Sequence, residues 1–264
     1  MNAEALLSIE KGEKPLDKLV TNGGFCGIFR TIACIGDSLS SGEFESLNND
    51  GQKGYHDYFE YSWGQYIARA AGIKVYNFSK GGMTAKNYCE SFAESRGFWA
   101  PELACQAYTI ALGCNDINHI ELGSASDINV EDYHLSKPTF AGYYGQIIQR
   151  YKQIQPKARF FLLTLPHGFN RDKDDKVTEL AGLIHDIAAL FEWTYVVDLE
   201  KYVPRCDDEF RRNFYLGGHL NAAGYLMASR VISSYIDYII RNNPDDFTQV
   251  GFIGTPYHNS GAKW

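Results

Sequence analysis

The chain has 264 residues, 45% hydrophobic and 22% charged, with a formal net charge of −7. That length encloses enough interior to fold without disulfides or a structural metal. The acidic balance argues against a nucleic-acid partner, which would need a basic face, and no stretch approaches the ~20 apolar residues of a membrane span.

Residues 1–30 are mixed in character and carry Gly23-Gly24. They predict a short helix and a strap across the body. The start has no basic segment, apolar run and small-residue cleavage site in sequence, so no signal peptide is expected in this chain, and a cytoplasmic location follows as an expectation. TIACIG (31–36) is a short apolar run ending in Gly, the pattern of a buried strand. WGQYIARAAG (63–72) has helical spacing and closes on Gly72 as a C-cap. KVYNFS (74–79) is the second strand, and TAKNYCESFAES (84–95) a helix with Thr84 as N-cap. AYTIALG (107–113) is the third strand, TFAGYYGQIIQRYKQIQP (139–156) an amphipathic helix stopped by Pro156, and ARFFLLTLP (158–166) the fourth strand. The mixed-sign cluster RDKDDK (171–176) reads as a solvated helix start, followed by a helix over 175–192, a fifth strand TYVVDL (194–199) and a long closing helix over 221–242 that Asn221 opens.

Apolar runs alternating with amphipathic helices predict a single α/β domain over 1–264, built on a mainly parallel five-stranded sheet with helices on both faces. Residues 1–30 form its strap, and residues 245–264 are a tail expected to pack back on the body. Six Cys (26, 34, 89, 105, 114 and 206) show no CxxC spacing and no grouping with His at zinc-ligand spacing. Reduced thiols are expected, with no metal and no organic cofactor.

In such a sheet, functional residues gather just beyond the C-terminal strand ends. Four segments stand there. IGDSLSSGE (35–43) places Ser38 directly after the first strand, where its hydroxyl can rise above the sheet. NFSKGGMT (77–84) follows the second strand, and its paired glycines expose backbone N–H groups that can bind developing negative charge. LGCNDIN (112–118) follows the third; Asn115 can donate its amide to the same anion, and Asp116 can hold the loop through backbone N–H groups. YLGGHLNAAGY (215–225) sets His219 in a glycine-flanked turn before the last helix, where a neutral imidazole can act as general base. Each segment alone is ordinary turn chemistry. Together they have complementary roles in a consistent order.

The pattern GDS, then NxSxGGxT, then GxND, then GHxN resembles that of the SGNH hydrolases, also called GDSL-like lipases/acylhydrolases, over about residues 31–240. The resemblance implies a flavodoxin-like three-layer α/β/α sandwich and an esterase working through an acyl-serine. Carried over by motif, it makes Ser38 the nucleophile and His219 the base. It assigns the oxyanion hole to the N–H of Ser38, the N–H of Gly82 and the side chain of Asn115. Gly82 is chosen over Gly81 because it stands two places before Thr84.

One position departs from the family. An Asp three residues before the His is usual, and here that residue is Leu216. The expectation is that the Leu216 carbonyl takes the imidazole N–H instead; Asp207, Asp208 and Asp198 are the candidates for a displaced acid. Segment 43–62, longer than a tight connection and rich in Tyr, Phe and acids, either overhangs the site or is a plain surface insertion. The expected substrate is a small ester, with an acetylated sugar or a thioester as alternatives on the same site. A non-catalytic sugar- or acyl-binding module is the alternative of another class. A nucleotide-binding protein is disfavoured, because the first strand-to-helix turn lacks GxGxxG and the P-loop pattern.

Overall fold

The computed structural model describes residues 2–169 and 174–261. In chain order its strands are β1 (Thr31–Gly36), β2 (Glu43–Leu47), β3 (Lys53–Asp57), β4 (Lys74–Ser79), β5 (Ala107–Ala111), β6 (Arg159–Leu163), β7 (Thr194–Val197), β8 (Tyr215–Leu216) and β9 (His219–Leu220). The helices that matter here are α1 (Ser38–Ser41), α2 (Trp63–Ala71), α3 (Ala85–Asn87), α4 (Asp116–His119), α5 (Phe140–Ile154), α6 (Asp174–Ala189), α7 (Leu199–Tyr202), α8 (Asp208–Phe214) and α9 (Ala222–Asn242).

Five strands form one parallel sheet in the order β4-β1-β5-β6-β7. Successive β1 side chains point to opposite faces, as a strand requires. Ala33 and Ile35 join the core beneath α5 and α6, with Phe140, Ile147, Leu180 and Ile184. Ile32 and Cys34 join the other core, with Trp63 and Ile67 of α2 and Ile232 and Ile236 of α9. Both faces are covered, so the strands read as continuous apolar runs. The result is the expected three-layer α/β/α sandwich.

The caps follow from the side chains. Thr139 Oγ1 accepts from the N–H of Gly142 to open α5, and Asn221 Oδ1 accepts from that of Gly224 to open α9. Gly72 closes α2 at φ 69°, a left-handed conformation that suits glycine.

Three strands end sooner than their apolar runs. β5 stops at Ala111, ahead of the turn at Gly113, where φ is 129°. β6 stops at Leu163, before Pro166, which has no N–H for a ladder. β7 stops at Val197 because the Asp198 carboxylate caps α7 through the N–H of Lys201. Helix α6 ends at Ala189 rather than 192, where the N–H groups of Leu190 and Phe191 tighten onto the carbonyls of Ile187 and Ala188. Of the 171–176 charge cluster, residues 171–173 lie outside the described residues.

Two elements were not foreseen. Segment 43–62 begins with an antiparallel hairpin, β2–β3, in register from Glu43↔Asp57 to Leu47↔Lys53. Its turn is held by Asn48 Oδ1, which accepts from the N–H groups of Asp50 and Gln52, with Gly51 at φ 78°. A two-residue ladder, β8–β9, pairs Leu216 with His219.

Residues after α9 lie against the sheet's N-terminal edge. Phe247, Val250 and Ile253 are buried, and Gln106 and Arg30 donate to carbonyls of Val250, Gly251 and Ile253. All six cysteines are free. No described helix is long and apolar enough to cross a membrane.

Candidate active site

The sheet order places β1 between β4 and β5, so the loops leaving these three strands converge at one end. This is the switch point at which open α/β sheets bind ligands. All three loops carry sequence-predicted site residues.

Ser38 is the first residue of α1. Asp37 caps it by accepting from the N–H of Leu39, and Gly42 closes it at φ 77°. The helix is only four residues long, and Ser38 Oγ makes no hydrogen bond among the described residues. Gly36, just ahead of it, sits against Ser40 and the Ala111 carbonyl so tightly that a Cβ would collide.

Gly82 lies in the turn after β4 at φ 72°, and the space a Cβ would occupy is open. Neither its N–H nor that of Ser38 has an acceptor among the described residues. Asn115, in the turn after β5, donates from Nδ2 to the Met83 carbonyl at 3.1 Å and to Asp37 Oδ2 at 3.4 Å. Asp116 bonds a backbone N–H as expected, but across loops: its Oδ1 accepts from Ala85 at 2.8 Å. It thus ties the turn holding Asn115 to the turn holding Gly82. Burial raises both carboxyls, Asp37 to about 7 and Asp116 to about 6.

His219 begins β9, which packs against α1. The side chain is largely buried, and that burial lowers its pKa and favours the neutral imidazole a base requires. From α9, the Tyr225 hydroxyl donates to the Glu43 carbonyl at 2.6 Å and reaches the Ser38 carbonyl at 3.5 Å. One side chain thereby anchors the Ser38 turn and the hairpin to the helix that follows His219.

The expected partner of the imidazole is not there. Nδ1 of His219 is buried with no hydrogen-bond partner among the described residues, so the Leu216 carbonyl does not take its proton. Leu216 pairs with His219 across the two-residue ladder and is half-exposed. The three aspartates are engaged elsewhere. Asp198 bonds Thr164 and His185, Asp207 caps α8 through the N–H of Phe210, and Asp208 is the first residue of that helix.

The β2–β3 hairpin meets His219 instead. Nε2 lies 3.0 Å from Glu43 Oε1. Glu45 Oε2 accepts from the N–H of Gly218 at 2.8 Å, while Oε1 pairs with Lys53 at 2.7 Å. Tyr55 packs edge-on to the imidazole, ring centres 5.7 Å apart. The glycines of the Leu-Gly-Gly-His turn are explained by this contact: Gly217 has φ 65°, and a Cβ on it would strike the Glu45 carboxylate. A Cβ on Gly81 would likewise strike Glu43, whose carboxyl therefore lies between His219 and the glycine turn after β4. Burial, and then the neighbouring Asp57, raise the Glu43 pKa.

Glu43, Glu45, Tyr55 and Tyr225 were not read from sequence as site residues. A signal existed in the Asn-Asn-Asp-Gly turn (48–51) flanked by two extended segments, which marks a hairpin.

An apolar cavity of about 100 Å³ adjoins the Ser38 turn. Leu39 and Ser40 line it together with Leu165, Phe210, Met227 and Val231; Ser38 and His219 do not.

Solved structures with the same architecture include a family two carbohydrate esterase from Clostridium thermocellum, in complex with cellohexaose. It is 15% identical, with a TM-score of 0.55, over 82% of this chain and 65% of that one. A carbohydrate esterase family 2 enzyme with a carbohydrate-binding domain, from Corynascus thermopiles (Myceliophthora fergusii), matches at 16% identity and TM-score 0.54, over 80% of this chain and 66% of that one. The present chain thus spans about two thirds of the length of these two. A carbohydrate acetylesterase from Sinorhizobium meliloti matches at 15% identity and TM-score 0.53, over 80% of this chain and 99% of that one. At such identities the likeness is one of fold. No curated protein matches the chain in sequence. The model of the GDSL-like lipase/acylhydrolase family matches residues 34–227, from β1 into α9, and the chain belongs to that family of ester-bond hydrolases.

Proposed function

We propose that the protein hydrolyses a small carboxylic ester through an acyl-Ser38 intermediate. The observation that carries this reading is the convergence of Ser38, Gly82 and Asn115 at the ends of three adjacent parallel strands, with the His219 strand packed on the Ser38 helix.

Ser38 Oγ attacks the acyl carbon as its proton passes to neutral His219. The oxyanion forms against the N–H groups of Ser38 and Gly82, which have no acceptor among the described residues. Asn115 turns one amide proton to it, giving up the long 3.4 Å contact with Asp37 and keeping the shorter one with Met83. One such donor typically contributes about 10²–10³ in turnover. Collapse expels the alcohol, which takes the proton from His219. Water then attacks the acyl group, gives its proton to His219, and releases the acid with Ser38 restored. The cycle as written uses protein groups and water.

For the alcohol side we infer a sugar, so that the ester is an O-acetyl group on carbohydrate. Exposed Tyr55 and Tyr58 stand on and beside the hairpin that meets His219 and offer ring faces to a sugar. Three proteins of the same fold are carbohydrate esterases by description. The cavity beside Leu39 and Ser40 favours a second reading, in which the acyl group is a short chain longer than acetyl.

Turnover of p-nitrophenyl acetate and of a peracetylated disaccharide, wild type beside Ser38→Ala, tests the proposal. The wild type should hydrolyse both, and the variant should fall by about 10⁴-fold or more. Equal rates in the two proteins would overturn it.

A further inference from the structure

Resting on that reading, we infer that Glu43 replaces the missing acid of the turn before His219: it is the positioning residue that orients the imidazole and stabilises it when charged. Glu43 reaches His219 from the β2–β3 hairpin, far upstream in the chain.

Three observations carry the inference. First, the side chains meet directly, Glu43 Oε1 at 3.0 Å from Nε2, and both are largely buried. Second, the Glu43 backbone is fixed independently of its side chain. Its carbonyl accepts from Tyr225 at 2.6 Å, and its residue pairs with Asp57 in the hairpin ladder. The carboxyl is therefore held beside the ring by the scaffold. Third, the hairpin is bonded to the His219 turn at a separate point, where Glu45 accepts from the N–H of Gly218. A hairpin bonded to the turn and reaching His219 at ion-pair distance supplies what the absent Asp would supply: a carboxyl held beside the ring by the scaffold and a negative charge next to the imidazolium.

The other nitrogen follows from this. With Nε2 facing Glu43, this reading gives the Ser38 proton to Nδ1, which is buried and at rest bonds neither Ser38 Oγ nor any other group among the described residues. One proton moves, from Ser38 Oγ to the imidazole and later to the leaving alcohol. Glu43 stays ionised throughout.

Other charges face the pair and set its response to pH. Glu45 and Asp57 raise the His219 pKa against the larger effect of burial, and Lys53 lowers it. Asp57, whose carboxylate accepts from Ser41 Oγ, raises that of Glu43. Asp37, buried one residue before Ser38, is another carboxyl in this field.

The experiment is the pH profile of kcat and kcat/KM for p-nitrophenyl acetate with wild type, Glu43→Gln, Glu43→Asp and Ser38→Ala, each checked by thermal unfolding. Glu43→Gln keeps the shape and removes the charge. It should lose about 10²-fold in kcat with KM within about twofold. The acid limb of its kcat/KM profile should move to lower pH, because a neutral neighbour no longer favours imidazolium. Glu43→Asp should recover part of the loss.

Wild-type kcat and an unmoved profile in Glu43→Gln would overturn the inference. So would a faster Glu43→Gln, which would make the carboxyl an obstruction between His219 and the glycine turn. If Glu43→Gln unfolds, the folded Glu43→Asp decides: a partial loss of kcat with KM within about twofold supports the inference, and wild-type kcat with an unmoved profile overturns it. An active Ser38→Ala is a different failure: it removes the nucleophile reading, whatever Glu43 does.

Discussion

Asp37 and Asp116 show how a site at the end of a parallel sheet handles charge. Both carboxyls are buried within the loops that hold Ser38 and Asn115. Their backbone bonds lower the pKa less than burial raises it, leaving values of about 7 and about 6. Unfolded, each would titrate near about 4. Between those limits the folded chain binds more protons than the unfolded one. Their contribution to stability is thus complete below about pH 4 and is lost as pH rises through about 6–7. Asp37→Asn retains an N-cap acceptor and removes the titration, as Asp116→Asn does for the cross-loop bond. Urea unfolding from about pH 4 to about pH 7.5 should show the stability difference, variant minus wild type, rising with pH for both variants. A difference that stays flat across that range would show that neither group titrates there. The placement of Ser38, Gly82 and Asn115 just after strands, and of His219 just before a helix, was legible in the sequence because each sits in a short polar motif. The partner of His219 was not. Reasoning from the motif looks three residues back, to Leu216, whereas the carboxyl arrives from another element through tertiary packing.

The elements that were legible are those governed by local periodicity. All five strands of the sheet appear as short apolar runs, because both faces are buried. The start and stop residues Thr84, Asn221 and Gly72 act where the sequence places them. The hairpin escaped for a physical reason. Its strands carry Glu43, Glu45 and Lys53, which read as solvated, yet Glu45 is buried and its charge is answered by Lys53 and the Gly218 N–H. An inward carboxylate matched by a specific partner leaves no hydrophobic pattern. This belongs to the element as a whole, since the hairpin grips the His219 turn through Glu45. Glu45→Ala should therefore lower kcat about tenfold or more with little change in KM, and lower the unfolding temperature, because the Gly218 N–H and Lys53 lose their acceptor. Unchanged kinetics in a folded Glu45→Ala would mean that the turn holds itself.

Across the whole molecule, the sheet order does most to create the site. Placing β1 between β4 and β5 brings three loops together that are distant in sequence, and the two apolar cores hold the sheet rigid beneath them. The remaining side is closed by one part added to that frame, the hairpin after α1, which Tyr225 of α9 bonds together with the Ser38 turn. The family frame was readable from motifs spread along the chain, while the hairpin became visible only in three dimensions. Substrate choice is expected to reside in it, because it borders the proposed catalytic groups without belonging to the frame. Everything proposed for the site depends on Ser38 being an activated nucleophile served by His219. The most direct measurement is covalent labelling by a fluorophosphonate, with the modified peptide mapped by mass spectrometry in wild type, Ser38→Ala and His219→Ala. The account predicts one adduct, on Ser38, absent from Ser38→Ala and strongly slowed in His219→Ala. An adduct on another residue, or equal labelling without His219, would contradict it.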